Sequence, residues 1–324
     1  MPSLRTPFPG LRFALALAAL SGLGGCRSLP PGPLTLDRGL PLELPEPRAS
    51  RKVLDSADAY GVEYSFQTYQ GQTLRVRFEI DKKVYDAEDE GWGYRESELA
   101  ALKAEREARR QAALDAARTG ERTQAQLDEE LAAVQVAYER KRREYVTSRG
   151  FALEAGGLVK VDLPALVRRG APRLAAVARE LERRARGEGR GVDWMIAAAA
   201  SLVQTAIAYK DVPSVIDGRH TGGVWTPAKT LVAGWGDCDT KVALLGAILA
   251  NWPGVRMIVL ELPDHFLLGL AREPAEGESH LRWGGADWVL IEPSGPAWLP
   301  PGYLGDGTKA LLSSGRAYAV EALP

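Results

Sequence analysis

The sequence predicts an α+β fold in which a cysteine-bearing helix packs on an antiparallel sheet, preceded by a β-hairpin and a helical hairpin. Three patterns carry this expectation. Apolar and polar residues alternate over Tyr64, Phe66 and Thr68 and again over Leu74, Val76, Phe78 and Ile80, the period of half-buried strands. From Arg95 to Val146 the composition shifts to Ala, Glu, Arg, Gln and Leu, good helix formers. From Cys238 to Asn251 an apolar run follows helical spacing, and the segments after it, Arg256 to Leu262, His265 to Ala271 and Asp287 to Glu292, are rich in branched residues that suit strands.

The first element is a leader. Arg5 and Arg12 precede or flank a short apolar stretch from Phe13 to Leu20, too short to span a bilayer as a stable helix, and small residues close it at Leu23-Gly24-Gly25-Cys26. This arrangement resembles a bacterial lipoprotein signal. The resemblance implies that residues 1–25 are removed and that Cys26 carries two acyl chains, sufficient for stable anchoring. It also implies an envelope protein on the periplasmic face of the outer membrane, because Arg27 is not the aspartate associated with inner-membrane retention. The formal charge is −1, with 41 Lys and Arg against 42 Asp and Glu, and losing Arg5 and Arg12 with the leader takes it to −3. That balance argues against a nucleic-acid partner.

Residues 26–50 contain Pro30, Pro31, Pro33, Pro41, Pro45 and Pro47, which predicts an extended tether. The β-hairpin follows, turning at Gln70-Gly71-Gln72. The helical hairpin is interrupted near Thr119-Gly120, and Leu127, Leu131, Val134 and Tyr138 recur on one side of its second helix. Its charges alternate in sign, as on a solvated face, with a protein partner on residues 95–146 as the competing expectation. A short strand is expected over Gly157 to Asp162, then a helix from Pro164 to Arg186 with Leu166, Leu174, Val177 and Leu181 inward. Gly187 to Gly191 breaks it. The division expected is an N-terminal module over 51–165 and a second domain over 166–324. Within the latter, Asp193 to Tyr209 reads as a buried helix, and Pro213, Gly218, Gly222 and Gly223 mark a loop before Cys238.

Cys238 is a lone thiol, since Cys26 has its own explanation. A thiolate is the nucleophilic form, and the N–H groups and dipole at a helix N-terminus stabilise it, as does a neighbouring imidazolium. Cys238 at the head of its helix and His265 fit those roles. A base must also be held by an acceptor on its far ring nitrogen. Glu292 is the chosen acceptor, with Asp287 as the alternative.

These residues stand in the words Gly236-Asp237-Cys238, Asp264-His265-Phe266 and Ile291-Glu292-Pro293-Ser294. Upstream are Leu202-Val203-Gln204 with Tyr209 and Asp211, then Trp225-Thr226-Pro227 with Thr230-Leu231. The order and spacing resemble the transglutaminase-like cysteine proteinase superfamily, in its bacterial and archaeal branch, over roughly residues 195–300. The resemblance implies a papain-like C-terminal domain and a Cys238–His265–Glu292 triad. It also implies Gln204 as an oxyanion donor and a substrate cleft near Trp225, Trp235 and Asp237. Glu292 stands where Asp is usual, so its longer side chain must start further from the imidazole. Lys229 stands where the branch commonly has an acidic residue.

The expected function is a lipid-anchored cysteine hydrolase or acyltransferase acting on amide or isopeptide bonds of a peptide, protein or peptidoglycan substrate through a thioester. No cofactor is expected. A zinc site using Cys238, His265 and either His220 or His280 lacks a closely spaced ligand pair. The competing expectation is a non-catalytic module of the same fold that binds a peptide or partner.

Overall fold

The computed structural model describes residues 32–39, 47–54, 56–294, 298–316 and 318–324. The expected leader and Cys26 lie outside them. The chain is mixed α+β, and among the described residues no helix is long and apolar enough to cross a membrane.

The centre is a six-stranded antiparallel sheet in the spatial order Leu34–Thr35, His280–Trp283, Ala286–Ile291, His265–Ala271, Met257–Leu262 and Ala319–Leu323. Its inner strands are apolar at nearly every position because both faces are covered. On one face Met257, Val259, Leu268, Leu270 and Ile291 join the main core beneath the Cys238–Leu249 helix. On the other, Ile258, Leu260, Leu267 and Leu290 pack with Leu304 and Leu312 from the C-terminal segment. Helices Leu163–Gly187 and Val192–Ala206 pack beside the Cys238 helix, which uses Gly246 to bring its backbone close to Val167.

The hairpin strands are Ala59–Gln67 and Thr73–Asp81, and a third strand, Ala49–Val53, extends them into a three-stranded sheet. The alternation in Thr73–Asp81 buries Leu74, Val76, Phe78 and Ile80 and exposes the residues between. The helical hairpin is Glu96–Arg118 and Gln124–Ser148; Thr123 and Gln126 cap its second helix reciprocally. Leu127 and Val134 are buried, whereas Leu131 and Tyr138 are only half-buried. Position 166, where the second domain was expected to begin, falls inside the Leu163–Gly187 helix. Tyr64, Phe66 and Phe78 also share one core with Leu174, Leu181 and Leu245, because this helix faces both sheets.

The proline-rich tether needs correction. Leu34–Thr35 forms the edge strand of the central sheet, paired with Leu281 and His280. The reason lies in the residues just after Pro33. Leu34 and Leu36 pack on the second core, and Asp37, only 6% exposed, is a hydrogen-bonding hub. Its carboxylate accepts from the Ser279 hydroxyl at 2.7 Å, Leu304 N–H at 3.1 Å, Lys309 Nζ at 3.0 Å and Gly39 N–H at 2.9 Å. An edge strand needs donors on one side only, so prolines beside it are tolerated.

Candidate active site

Cys238 is the first residue of its helix, with Asp237 as the N-cap. His265 opens the next strand but one. It is delivered by a two-residue connection in which Pro263 is followed by Asp264 at φ 64°, a conformation unfavourable for a side chain other than glycine. Glu292 follows the strand Ala286–Ile291. In the pairing of Leu268 with Ile291, one further step sets Glu292 opposite Leu267 and diagonal to His265 on the same face. A glutamate spans that diagonal: His265 Nε2 lies 2.8 Å from Glu292 Oε1.

Glu292 is 3% exposed and fully engaged. Besides His265 it accepts from the Ser294 hydroxyl at 2.8 Å and from the Thr308 hydroxyl, and Thr308 Oγ1 also stands 3.4 Å from the imidazole. Asp287 is half-buried and paired with Arg282 at 3.0 Å, so of the two acids it is Glu292 that contacts the imidazole. Ser294 was visible in the sequence as a hydroxyl two residues from Glu292. Thr308, on the helix Asp306–Ser313, gives no sequence signal because the fold alone brings it there.

Gln204 serves a different purpose from the oxyanion role expected of it. Its amide group donates to Glu292 O at 2.6 Å and Leu299 O at 2.9 Å, and its side-chain oxygen accepts from Leu299 N–H at 3.0 Å and the Tyr69 hydroxyl at 2.8 Å. Both amide hydrogens are committed, leaving no donor for an oxyanion. Gln204 instead fastens the chain on both sides of residues 293–298. Gln204→Ala should therefore cost roughly 1–3 kcal/mol in urea unfolding, from buried groups left unpaired.

The surroundings of the thiol oppose a preformed thiolate. Burial and the Asp239 and Asp237 carboxylates push the Cys238 thiol up to about 12, against the weaker pull of the Asp239 and Phe266 backbone N–H groups. Burial also pushes Asp239 up to about 8, and its hydrogen bond to the Asp237 carboxyl adds to the rise. The helix terminus is thus outweighed by desolvation and like charge. Among the described residues no hydrogen bond joins Cys238 to the imidazole, although the N–H of Phe266, next to His265, reaches the sulfur. In this state Cys238 is a neutral thiol. Asp239→Asn removes one opposing charge and is expected to lower the pH at which Cys238 ionises, measured by thiol absorbance titration.

A cleft of about 910 Å³ has Asp239 and Phe266, the residues that follow Cys238 and His265, among its lining residues, whereas Cys238, His265 and Glu292 do not line it. Its walls include Phe151, Leu158, Val161 and Leu262, with Glu154 and Glu261 as acidic groups. The expected cleft residues Trp225, Trp235 and Asp237 do not line it. Trp225 is buried against Trp235, with ring centroids 3.8 Å apart, and Lys210 and Lys229 sit over the two rings. Lys229 also pairs with Asp89 at 2.6 Å, which engages it away from the cleft. His220, stacked on Tyr94 at 4.9 Å, does line the cleft. The glycine-rich loop around it hid this, because position in a loop says nothing of what the loop covers.

Lys241, on the Cys238 helix, is wholly buried. It was legible as the one cation in an otherwise apolar helical run that has Asp239 at its head. Comparison with protein-family models, with curated proteins and with solved structures finds no match for this chain.

Proposed function

We propose that this protein is a cysteine hydrolase or acyltransferase with a transglutaminase-like, papain-like C-terminal domain, acting on amide or isopeptide bonds. The observation that carries the proposal is the 2.8 Å contact of His265 with a buried Glu292, together with a thiol at a helix head whose next residue, Asp239, lines a cleft with Phe266. Cys238 Sγ attacks the carbonyl carbon as His265 takes the thiol proton. The tetrahedral intermediate collapses, the C–N bond breaks, and His265 passes the proton to the departing amine. Water, or a second amine, then attacks the thioester and returns the thiol. The first N–H groups of the helix face the thiol end and would receive the oxyanion in place of Gln204.

In this proposal the mature chain is anchored through acylated Cys26 on the periplasmic face of the outer membrane, and its substrate is a peptide, a protein or peptidoglycan. The helical hairpin, projecting with exposed charges, would be the surface for a protein partner. The neutral thiol favours a second reading, a peptide-binding module without catalysis. Intact-mass analysis after incubation with a peptide mixture and with peptidoglycan fragments separates the two. An acyl adduct on Cys238, removed by hydroxylamine at neutral pH and absent from Cys238→Ser, supports acyl transfer. Bound but unmodified peptide supports the binding module.

A further inference from the structure

A second hollow, of about 560 Å³, opens beside the helix Lys82–Gly91 and is closed by the Leu163–Gly187 helix, the end of the Gln124–Ser148 helix and Thr226. Its volume falls within the range of about 300–1,000 Å³ usual for small-molecule sites. Cys238, His265 and Glu292 do not line it, so what it binds is independent of the acyl-transfer reading. Its floor is buried: Trp92 is 3% exposed, Leu166 2% and Thr226 4%. Gly91 also lines the hollow, and a Cβ at that position would meet no packed neighbour within 4 Å.

The rim is cationic. Lys83, Arg169 and Arg173, all exposed, line the hollow with a single acid, Glu88, whereas Asp86 and Glu90 on the same helix do not line it. Glu88 is already engaged, by Arg173 Nε at 3.3 Å and by the Thr226 hydroxyl. Arg169 is held in place by donating to Thr147 O at 2.9 Å, and Lys83 has no hydrogen bond or ion pair among the described residues. Three cations against one acid leave two positive charges in the lining, in a chain whose formal charge is −1. Like charges gathered round a hollow repel one another, and an anion seated among them relieves that repulsion.

We propose that this hollow is a binding site for a small anionic amphiphile, with an oxyanion head, carboxylate or phosphate, among Lys83, Arg169 and Arg173 and an apolar chain over Trp92 and Leu166. Guanidinium groups bind such oxyanions through paired N–H donors, and of Arg173 only Nε is committed. The apolar floor is what distinguishes the ligand from an inorganic anion, which would leave Trp92 and Leu166 uncovered.

Calorimetric titration of the full chain, below the micelle concentration, tests the site. Octanoate and octyl phosphate are the anionic probes, with octanol and octyltrimethylammonium as controls of equal chain length. One equivalent of at least one anion should bind, and both controls should bind at least about tenfold more weakly. The tighter of the two anions identifies the head. Lys83→Gln should weaken that anion about threefold and flatten its salt dependence. Gly91→Leu should abolish binding by occupying the hollow. Its urea midpoint should stay at or above that of the wild type, because residue 91 is helical rather than left-handed and glycine is a poor helix former. Octanol binding as tightly as the anions, anion binding that survives Gly91→Leu, or no saturable binding of either anion overturns the proposal. Should Gly91→Leu lower the midpoint, Lys83→Gln decides, and an affinity and salt dependence equal to the wild type's overturn the cationic rim as a head site.

Discussion

His265→Ala is expected to slow acylation of Cys238 by p-nitrophenyl acetate at pH 7 by roughly 10²–10⁴-fold, the range for losing a positioned general base. The size follows from the resting state of the thiol. With Cys238 pushed up to about 12, a negligible fraction is thiolate at neutral pH, and almost all reactivity has to come through proton transfer as the bond forms. A preformed ion pair would need the base less during attack. Glu292→Gln, which keeps the shape but removes the charge on the imidazole, should give a smaller loss with the same dependence on His265. Stopped-flow rates with peptide mapping of the label check both, and equal rates in wild type and His265→Ala would oppose the account.

The second large effect lies far along the chain from the thiol. Asp37→Ala is expected to lower unfolding free energy by roughly 3 kcal/mol, because it leaves the Ser279 O–H and Leu304 N–H donors without an acceptor in a buried place and leaves Lys309 with Asp306 alone. It should also slow Cys238 acylation, since Lys309 neighbours Thr308 on the short helix that holds Glu292. Burial opposes ionisation of Asp37, yet the Ser279 and Lys309 contacts and the Gly39 and Leu304 N–H groups together hold its carboxyl below the ordinary 3.8. A depressed carboxyl stabilises the fold fully above its unfolded value and loses that contribution as the pH falls through the folded one. The stability difference between wild type and Asp37→Ala should therefore narrow below pH 3.8. Urea titrations at neutral and acid pH measure it, and a variant as stable as wild type would return residues 32–39 to the role of a simple tether.

The legible parts of the fold were those whose pattern repeats. Alternation over nine residues marked Thr73–Asp81, and helical composition marked the two arms of the hairpin to within a few residues. Short elements carried no such repeat. Leu34–Thr35 has two residues among prolines, and His280–Trp283 and Ala319–Leu323 give no strand signal because their side chains are mixed in character. Helix Lys82–Gly91 is equally hard to read, because its only strong local signal is the Asp81 cap.

At the site, the order of Cys238, His265 and Glu292 was readable because each opens or closes an element that periodicity had located. The protonation state was not. A helix N-terminus lowers a thiol in isolation, and only three-dimensional burial with two carboxyls reverses the sign. Gln204 failed in a similar way: its position on a buried helix was readable, but the backbone groups that consume its amide come from residues 292 and 299, distant in sequence.

The pH dependence of Cys238 acylation by p-nitrophenyl acetate in wild type and His265→Ala tests the central claim most directly. General-base activation predicts that the wild-type rate rises and levels off once the base is neutral, far below the thiol's own value of about 12, whereas His265→Ala climbs only as the thiol itself ionises. Coincident profiles would contradict it and leave Cys238 as a buried thiol in a binding module.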